Sequence, residues 1–416
     1  MSVASIAPPA DRPSVAVLPF ANKSDDPGQE YFADGITEDI TTGLSRFRSL
    51  LVISPESIFT YKKRAATLRT VGRELGVHFV VEGSVRRSGE RVRVTVQLIE
   101  AESGKHLWDE RYDRPMQDIF AVQDEMVQSI VSNVAGRLDD AGSERALRKH
   151  PRTLSIYDLL LQGRHYLNRG SRDDILRARD LFERAIAAEP DNARAHVGLA
   201  WTYAWEAKSY WAAAPREAAR KAFDAAQKAV DLDTGDSEAH LALAWGYFRS
   251  NSNFDLAASQ VENAININPN DCGNYCFKSW LLTCAGETES GIACANEALR
   301  RNPLQRNDCL YTVAVADYLA GRYEHSLTVF SQVSPSFFLE VHAFMAACYA
   351  ELGRDEDARR ETEEFLRRAD QMDHGSPAED DDSWRAYWRR YMPFKNAAQF
   401  EKMLESFRKA GLPARA

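Results

Sequence analysis

The stretch LLLQGRHYLNRGSRDDILRARDLFERAIAAEP, residues 159–190, contains a pattern that recurs until about residue 366. Its landmarks are a small residue at Gly163, an aromatic residue at Tyr166, an alanine at Ala185 and a proline at Pro190. Similar residue types return in five later copies, which become looser along the chain: Ala200, Tyr203, Ala222, Ala229 and Thr234; Ala244, Tyr247, Ala264 and Pro269; Ser279, Ala298 and Pro303; Gly321, Tyr323 and Phe330; Ala346, Tyr349, Gly353 and Ala358.

A period near 34 residues with these residue types is the signature of tetratricopeptide repeats. Each repeat is a pair of helices, and stacked pairs form a solenoid with a concave binding surface. We expect the small residue to let the two helices approach closely and the alanine of the second helix to meet the next repeat. Proline then ends the second helix, because it lacks an amide donor and disfavours helix in the residue before it.

Residues 13–138 show a different pattern. Ser14–Phe20 reads as a buried strand, and Gln29–Phe47 reads as a helix with one apolar stripe. A strand at Leu50–Ile53, a short helix at Thr67–Leu75 ending at Gly76, three strands and a long helix at Met116–Leu138 follow. Ser88-Gly89 indicates a hairpin between two of the strands. The order β-α-β-α-β-β-β-α predicts an N-terminal α/β domain followed by an all-α tetratricopeptide superhelix.

Several segments of this first domain resemble the TolB-amino-terminal-like domain, which is related to the flagellar FlgO-type domain. They are SVAVLPFAN at 14–22, YFADGITEDI at 31–40, VGRELGVHFVVEGSVR at 71–86, QLI at 97–99 and HLW at 106–108. In many bacteria that domain precedes tetratricopeptide repeats, behind a class III adenylate/guanylate cyclase domain or a winged-helix domain in CadC-like regulators. The ends PFKN at 393–396 and RKAGLP at 408–413 resemble the cyclase-linked forms. The resemblance implies a non-catalytic, regulatory half.

Composition is consistent with a globular protein that acts in the cytoplasm. The chain has 416 residues, a net charge of −9 and 44% hydrophobic residues. The negative charge argues against a general nucleic-acid binder, and no segment approaches the ~20 apolar residues of a membrane span. We expect a disordered tail at 1–12, a linker at 139–153, about six helix pairs at 154–370 and a helical cap at 371–416. Each half has its own apolar periodicity, so we expect the halves to fold independently.

No catalytic, cofactor or metal motif is recognisable. Asp34 superficially resembles a cyclase metal ligand, but it lies in a helical stripe and no second carboxylate follows in a hairpin. The nine histidines are scattered. The six cysteines, Cys272 to Cys348, either form a thiol cluster or, as we favour, pack inside helices in the reduced state. Arginines near the hairpin, including Arg91 and Arg93, either contact an acidic partner or, as we favour, lie on a solvated sheet face.

Candidate contact residues come from the concave face of the first three repeats. The first helices of the repeats should line that face, and aromatic residues there are typical binding anchors. Trp201 and Trp205 either contribute such anchors or pack between repeats. The predicted partner-binding residues are Arg164, Asn168, Tyr203, Lys208, Trp211, Tyr247 and Arg249.

The sequence therefore predicts a non-enzymatic protein-interaction or regulatory module that needs no cofactor. Two alternatives stay open: a detached regulatory half of a cyclase signalling system, and a small-ligand sensor acting through the α/β domain. The partner's identity and whether the chain forms a homodimer also stay open.

Overall fold

A computed structural model describes residues 12–62, 64, 66–135, 154–208, 214–251, 253–304, 307–333, 339–370 and 381–413. The predicted tail at 1–12, apart from its last residue, and the predicted linker at 139–153 lie outside these residues. The two predicted fold classes are both present: an N-terminal α/β domain and a long array of helix pairs.

The first domain contains one mixed sheet in the order β3-β1-β4-β5-β6, with the short β2 also paired to β4. The strands are β1 (Ser14–Val17), β2 (Ala21–Asn22), β3 (Leu51–Val52), β4 (Phe79–Ser88), β5 (Arg91–Glu100) and β6 (His106–Pro115). Strand β1 is parallel to β3 and β4, whereas β4, β5 and β6 form an antiparallel meander. The predicted hairpin is found between β4 and β5, where Gly89 adopts a positive φ of 57°.

Helices cover both faces of this sheet. They are α1 (Glu30–Ser45), α2 (Pro55–Ile58), α3 (Leu68–Leu75) and α4 (Ile119–Ala135). The apolar stripe of α1 is buried together with α4 against one face of the sheet, and its residues are Phe32, Ile36, Ile40 and Leu44. Helix α3 belongs to a second hydrophobic cluster on the other face. The short α3 ends, as predicted, at Gly76, which adopts the left-handed conformation. The Thr67 side chain caps its start by accepting from the Thr70 amide. Helix α2 was not predicted.

The second domain consists of six successive helix pairs among the described residues. They are α5 (Leu154–Arg169) with α6 (Arg172–Ala188), α7 (Ala193–Lys208) with α8 (Pro215–Leu232), α9 (Ser237–Asn251) with α10 (Phe254–Ile267), α11 (Cys272–Ala285) with α12 (Thr288–Arg301), α13 (Asn307–Leu319) with α14 (Tyr323–Phe330), and α15 (Glu340–Glu351) with α16 (Asp355–Asp370). Two more helices follow, α17 (Asp381–Tyr391) and α18 (Ala397–Lys409).

The repeat landmarks lie at close approaches between helices. A Cβ on Gly163 would lie 2.7 Å from the Phe182 ring, so glycine is what allows α5 and α6 to approach. The second-helix alanines, among them Ala185 and Ala229, are completely buried. Helix α6 ends at Ala188, two residues before Pro190. These local rules explain why the sequence folds as a superhelix of paired helices.

Candidate functional site

The α/β domain contacts the repeats through an ion-pair chain that uses one of the predicted partner contacts. Arg164 on α5 lies 3.3 Å from Glu38 of α1 and 3.3 Å from Glu238 of α9. Burial raises the pKa of Glu38. Burial alone would lower the pKa of Arg164, but Glu238 and Glu38 raise it overall. Arg164 therefore joins the two domains in this structure.

A second contact between the domains is centred on the buried hydroxyl of Tyr157 on α5. This hydroxyl donates to Asp39 at 2.7 Å and accepts from Gln123 at 2.9 Å. The other Asp39 oxygen pairs with Arg194 at 3.3 Å. Tyr157 and Leu161 also belong to the same hydrophobic cluster as α1 and α4. The repeats therefore contribute side chains to the core of the α/β domain.

The third contact joins the end of α12 and the loops after α10 and α12 to the end of α1 and to the segment around α2. The Asn270 amide donates to the carbonyl oxygens of Ser45 and Phe47 at 3.0 and 3.2 Å. The Ser57 hydroxyl donates to Asn302 at 2.6 Å, and the Ser54 amide donates to a repeat carbonyl at 2.8 Å. The α/β domain thus contacts several successive repeats through residues that are far apart in the sequence.

A cavity of about 220 Å³ lies between the two domains. Arg164 and Asn168 both line it, together with Glu38, Asp39 and Glu56. The Glu56 side chain presents surface to this cavity, and its removal from bulk water raises its pKa to about 7. Two of the predicted contact residues are therefore found between the domains.

A second concave site lies between the second and third repeats. It has a volume of about 160 Å³ and is mostly apolar. We call it the tryptophan pocket, and its lining residues are Ala200, Trp201, Ala204, Trp205, Ala207, Ala219, Ala222, Ala242, Trp245, Gly246 and Arg249. Alanines on α7, α8 and α9 leave the space between the three indole rings.

The tryptophan pocket contains one predicted contact residue, Arg249, whose guanidinium carbon lies 5.0 Å from the centroid of Trp245. Burial lowers the pKa of Arg249. Sequence reasoning did not identify Trp245. The available signal was its position directly after the landmark Ala244, which matches Trp201 after Ala200.

The other predicted contacts from the second and third repeats are either absent from the pocket's lining or outside the described residues. Tyr203 packs under the Arg179 guanidinium at 4.1 Å, and Tyr247 packs edge-on against Phe223 at 5.1 Å. The side chain of Lys208 and all of Trp211 lie outside the part of the chain that the structure describes. Their role in binding stays a prediction.

Helix α17 occupies part of the face formed by the first helices of the later repeats. Its Tyr391 hydroxyl lies 2.9 Å from the Tyr311 hydroxyl of α13, and its ring meets Trp280 of α11 edge-on. Nearer the start of α17, Trp388 packs against Phe344 of α15. An aromatic helix of the same chain therefore lies across three successive first helices.

The remaining candidate groups have partners within the chain. Arg91 and Arg93 both pair with Asp113 on β6, which lowers the pKa of Asp113 to about 2. Asp34 pairs with Lys62 at 2.6 Å. In the described ranges, no group of three or more His, Cys, Asp or Glu residues could hold a metal ion. Within the same ranges, none of the helices has both the length and the apolar character needed to cross a bilayer.

Residues 10–130 are similar to the second domain of HilA/YgeH-like transcriptional regulators. This match does not test the predicted resemblance to the TolB-amino-terminal-like domain, which stays a prediction. A curated relative, a putative adenylate cyclase 3 of Rhizobium meliloti (strain 1021), is 45% identical over 188 residues. The aligned stretch covers 45% of this chain but 32% of the relative. The chain thus matches about a third of that protein.

Among solved structures, a thermophilic TPR protein of Thermus thermophilus is 17% identical, with a TM-score of 0.38. The match covers 46% of this chain and 98% of that one. A tetratricopeptide repeat protein of Parabacteroides merdae ATCC 43184 is 14% identical over 62% of this chain and 93% of that one, with a TM-score of 0.37.

Proposed function

We propose that this chain is a non-enzymatic, cytoplasmic regulatory module that binds a protein partner through its repeats. The observation that carries the proposal is the tryptophan pocket. Apolar pockets lined by aromatic side chains, with a nearby charged group, are typical anchor sites for a partner side chain. Arg249 supplies that charge, and Trp201, Trp205 and Trp245 supply the apolar surface.

The partner segment that fits best is an amphipathic helix with an aromatic or large aliphatic anchor. Helix α17 supports this choice, because it is an aromatic helix lying against the first helices of neighbouring repeats. Its Tyr391 is close enough to Arg249 to act on the pKa of that guanidinium. The tryptophan pocket is therefore next to the end of a surface that already accepts a helix. Helix-in-groove binding needs anchors spaced by three or four residues.

The predicted contact residues divide into three groups under this proposal. Arg249 contributes to the anchor pocket, whereas Tyr203 and Tyr247, which lie outside its lining, stay predicted partner contacts together with Lys208 and Trp211. We assign Arg164 and Asn168 to the cavity between the domains.

A second candidate function is favoured by the similarity to the putative adenylate cyclase. Identity of 45% over 188 residues supports descent from a common regulatory region. The chain would then be a detached regulatory half acting on a separately encoded cyclase or DNA-binding protein. In that case the rate at which a separate cyclase produces cyclic nucleotide in solution should change when this chain is added. The other alternative is a small-ligand sensor acting through the α/β domain, and α/β-domain residues such as Glu38, Asp39 and Glu56 line the cavity between the domains.

The binding proposal is tested by panning a library of helical peptides against the full chain and measuring affinities by calorimetry. Removing an anchor pocket side chain typically costs about 2 kcal/mol or more, roughly thirtyfold in affinity. We expect this loss in Trp205→Ala and in Trp245→Ala, each first checked for its circular dichroism spectrum. The matched control is Arg91→Ala with Arg93→Ala on the hairpin.

Selected peptides should bind the hairpin control as well as they bind the wild type. Peptides that bind both tryptophan variants at wild-type affinity, but lose affinity for the hairpin control, would move the site to the α/β domain. Failure to select any peptide with an apolar anchor would also count against the tryptophan pocket.

A further inference from the structure

Two cysteines of successive repeats meet in the second domain. Cys276 lies on α11 and Cys309 lies on α13, and their sulfur atoms are 2.8 Å apart. The two positions are separated by 33 residues, about one repeat length, so equivalent faces of neighbouring first helices bring them together. A disulfide bond has a sulfur–sulfur distance of about 2.05 Å, so the sulfurs would need to approach by only about 0.8 Å.

The surroundings favour a reaction between these two thiols. Cys309 is buried and Cys276 is half-buried, so Cys276 is the more exposed residue of the pair. Cys272 lies one helical turn before Cys276 and packs against Cys309, but its thiol donates to the Ser54 hydroxyl at 3.3 Å. For Cys294, which is also half-buried, no contact with another sulfur is found among the described residues.

We propose that Cys276 and Cys309 form a reversible disulfide when the protein meets an oxidant of the small-molecule disulfide class. With glutathione disulfide, the Cys276 thiolate attacks one sulfur of the oxidant and displaces a glutathione thiolate. The Cys309 thiolate then attacks the Cys276 sulfur of the mixed disulfide and displaces the second glutathione. One protein sulfur–sulfur bond forms, the oxidant is reduced to two glutathione molecules, and these take up the two thiol protons.

The rate of this reaction should depend on pH in a defined direction. The hydrogen bond with Cys309, together with burial, raises the pKa of the Cys276 thiol well above its usual value. The thiolate is the nucleophile, so it is scarce at neutral pH and its fraction grows about tenfold for each unit of pH. We therefore expect slow oxidation near neutral pH and faster oxidation in mild base.

The bond would stiffen the part of the repeats that holds the α/β domain. Cys272 and the loop after α12 contact Ser54 and Ser57 around α2. The new cross-link would join α11, which carries Cys272, to α13. A cross-link that closes a loop of about 33 residues restricts the unfolded chain. The oxidised protein should therefore melt several degrees above the reduced protein.

The test treats the full reduced chain with glutathione disulfide at about pH 8.5, the usual pKa of a free thiol. Remaining thiols are alkylated and the protein is digested and mapped by mass spectrometry. We expect a cross-linked peptide pair containing Cys276 and Cys309, which dithiothreitol separates. Cys276→Ala and Cys309→Ser should each abolish this pair, whereas Cys294→Ser, the matched control, should leave it unchanged.

Three results would overturn the proposal. One is that Cys276 and Cys309 are both alkylated after prolonged oxidation of the folded chain. Another is a cross-link between Cys272 and Cys309. The third is a glutathione adduct on Cys276 that persists without resolution by Cys309. Because Cys276 is the less buried of the pair, Cys276→Ala keeps the test informative if Cys309→Ser fails to fold.

Discussion

Replacing Gly35 on α1 by alanine tests whether the α/β domain and the repeats are packed as the structure shows. A methyl group at this position would lie 2.5 Å from Cδ2 and 2.8 Å from Cδ1 of Leu161 on α5. Both are too short for contact between carbon atoms, and both Leu161 methyl groups are affected, so the leucine would have to change its side-chain torsions inside a buried cluster. Overpacking of this kind costs about 1–3 kcal/mol.

The change in the free energy of unfolding caused by Gly35→Ala should have the opposite sign if the domains do not touch. Glycine in a helix interior is about 1 kcal/mol less favourable than alanine, so Gly35→Ala would then stabilise the protein. With the domains in contact, the clash opposes this gain. The free energy of unfolding should then change by an amount between about zero and a decrease of about 2 kcal/mol. The sign of one substitution therefore distinguishes the two arrangements.

A double-mutant cycle with Leu161→Ala makes the test sharper. Leu161→Ala alone should cost about 2–5 kcal/mol, because Leu161 is buried in the core shared by the two domains. In the double variant the alanine at position 35 occupies space that Leu161 has vacated. The coupling energy should therefore be about 1–3 kcal/mol in the stabilising direction, the size of the relieved clash.

The assay is urea denaturation followed by circular dichroism and tryptophan fluorescence. Gly43→Ala is the matched control, because it lies on the same helix and its methyl group would lie 2.7 Å from Val127 within the α/β domain. Its effect should add to that of Leu161→Ala without coupling. Stabilisation by Gly35→Ala in the wild-type background, or coupling below about 0.5 kcal/mol, would refute the packing of α1 against α5.

Three further predictions concern charged groups. The Glu56 side chain is exposed towards the cavity between the domains, and its removal from bulk water there raises its pKa to about 7. The folded state therefore binds this proton more tightly than the unfolded state, so stability should fall as pH rises from about 4.5 to 7. Glu56→Gln should flatten this part of a urea-midpoint profile. The pKa of Asp113 should rise from about 2 towards 3.8 in Arg91→Ala with Arg93→Ala, as followed by carboxyl NMR shifts, because both guanidinium groups hold its ionised form. Purified protein with ATP or GTP and Mg²⁺ or Mn²⁺ should yield no cyclic product above the blank, and turnover abolished by Asp34→Ala would contradict this.

Features set by neighbouring residues could be predicted from the sequence. The turn at Gly89, the short helix at Thr67–Leu75 and its stop at Gly76 each depend on residues within a few positions of the backbone they control. The repeat pattern was equally accessible, because close approaches such as Gly163 against Phe182 recur with a fixed period. These short-range rules were sufficient to predict both fold classes and the order of the main elements.

The contacts between the domains could not be predicted in the same way. Glu38 and Arg164 are 126 residues apart, and neither residue type indicates which partner it will find. The linker pattern indicated independent halves, whereas Tyr157 of the repeats lies in the core of the α/β domain. Helix α2 has four residues, too few for a periodic pattern, yet its Ser57 is one of the principal contacts with the repeats. Charged residues assigned to a partner were thus indistinguishable from residues that join two parts of one chain.

This distinction favours the tryptophan pocket over Arg164 as the place where a partner binds. Arg164 already neutralises two carboxylates of its own chain, so a partner carboxylate would have to displace Glu38 or Glu238 at the cost of leaving that group without its cation. An apolar anchor entering between Trp201 and Trp205 would meet mainly alanine and indole surfaces, with Arg249 in the same lining. Binding there gains the burial of apolar surface, which favours the complex. A partner should therefore reach the repeats first through this pocket, and Arg164→Ala should weaken the contact between the domains more than it weakens partner binding.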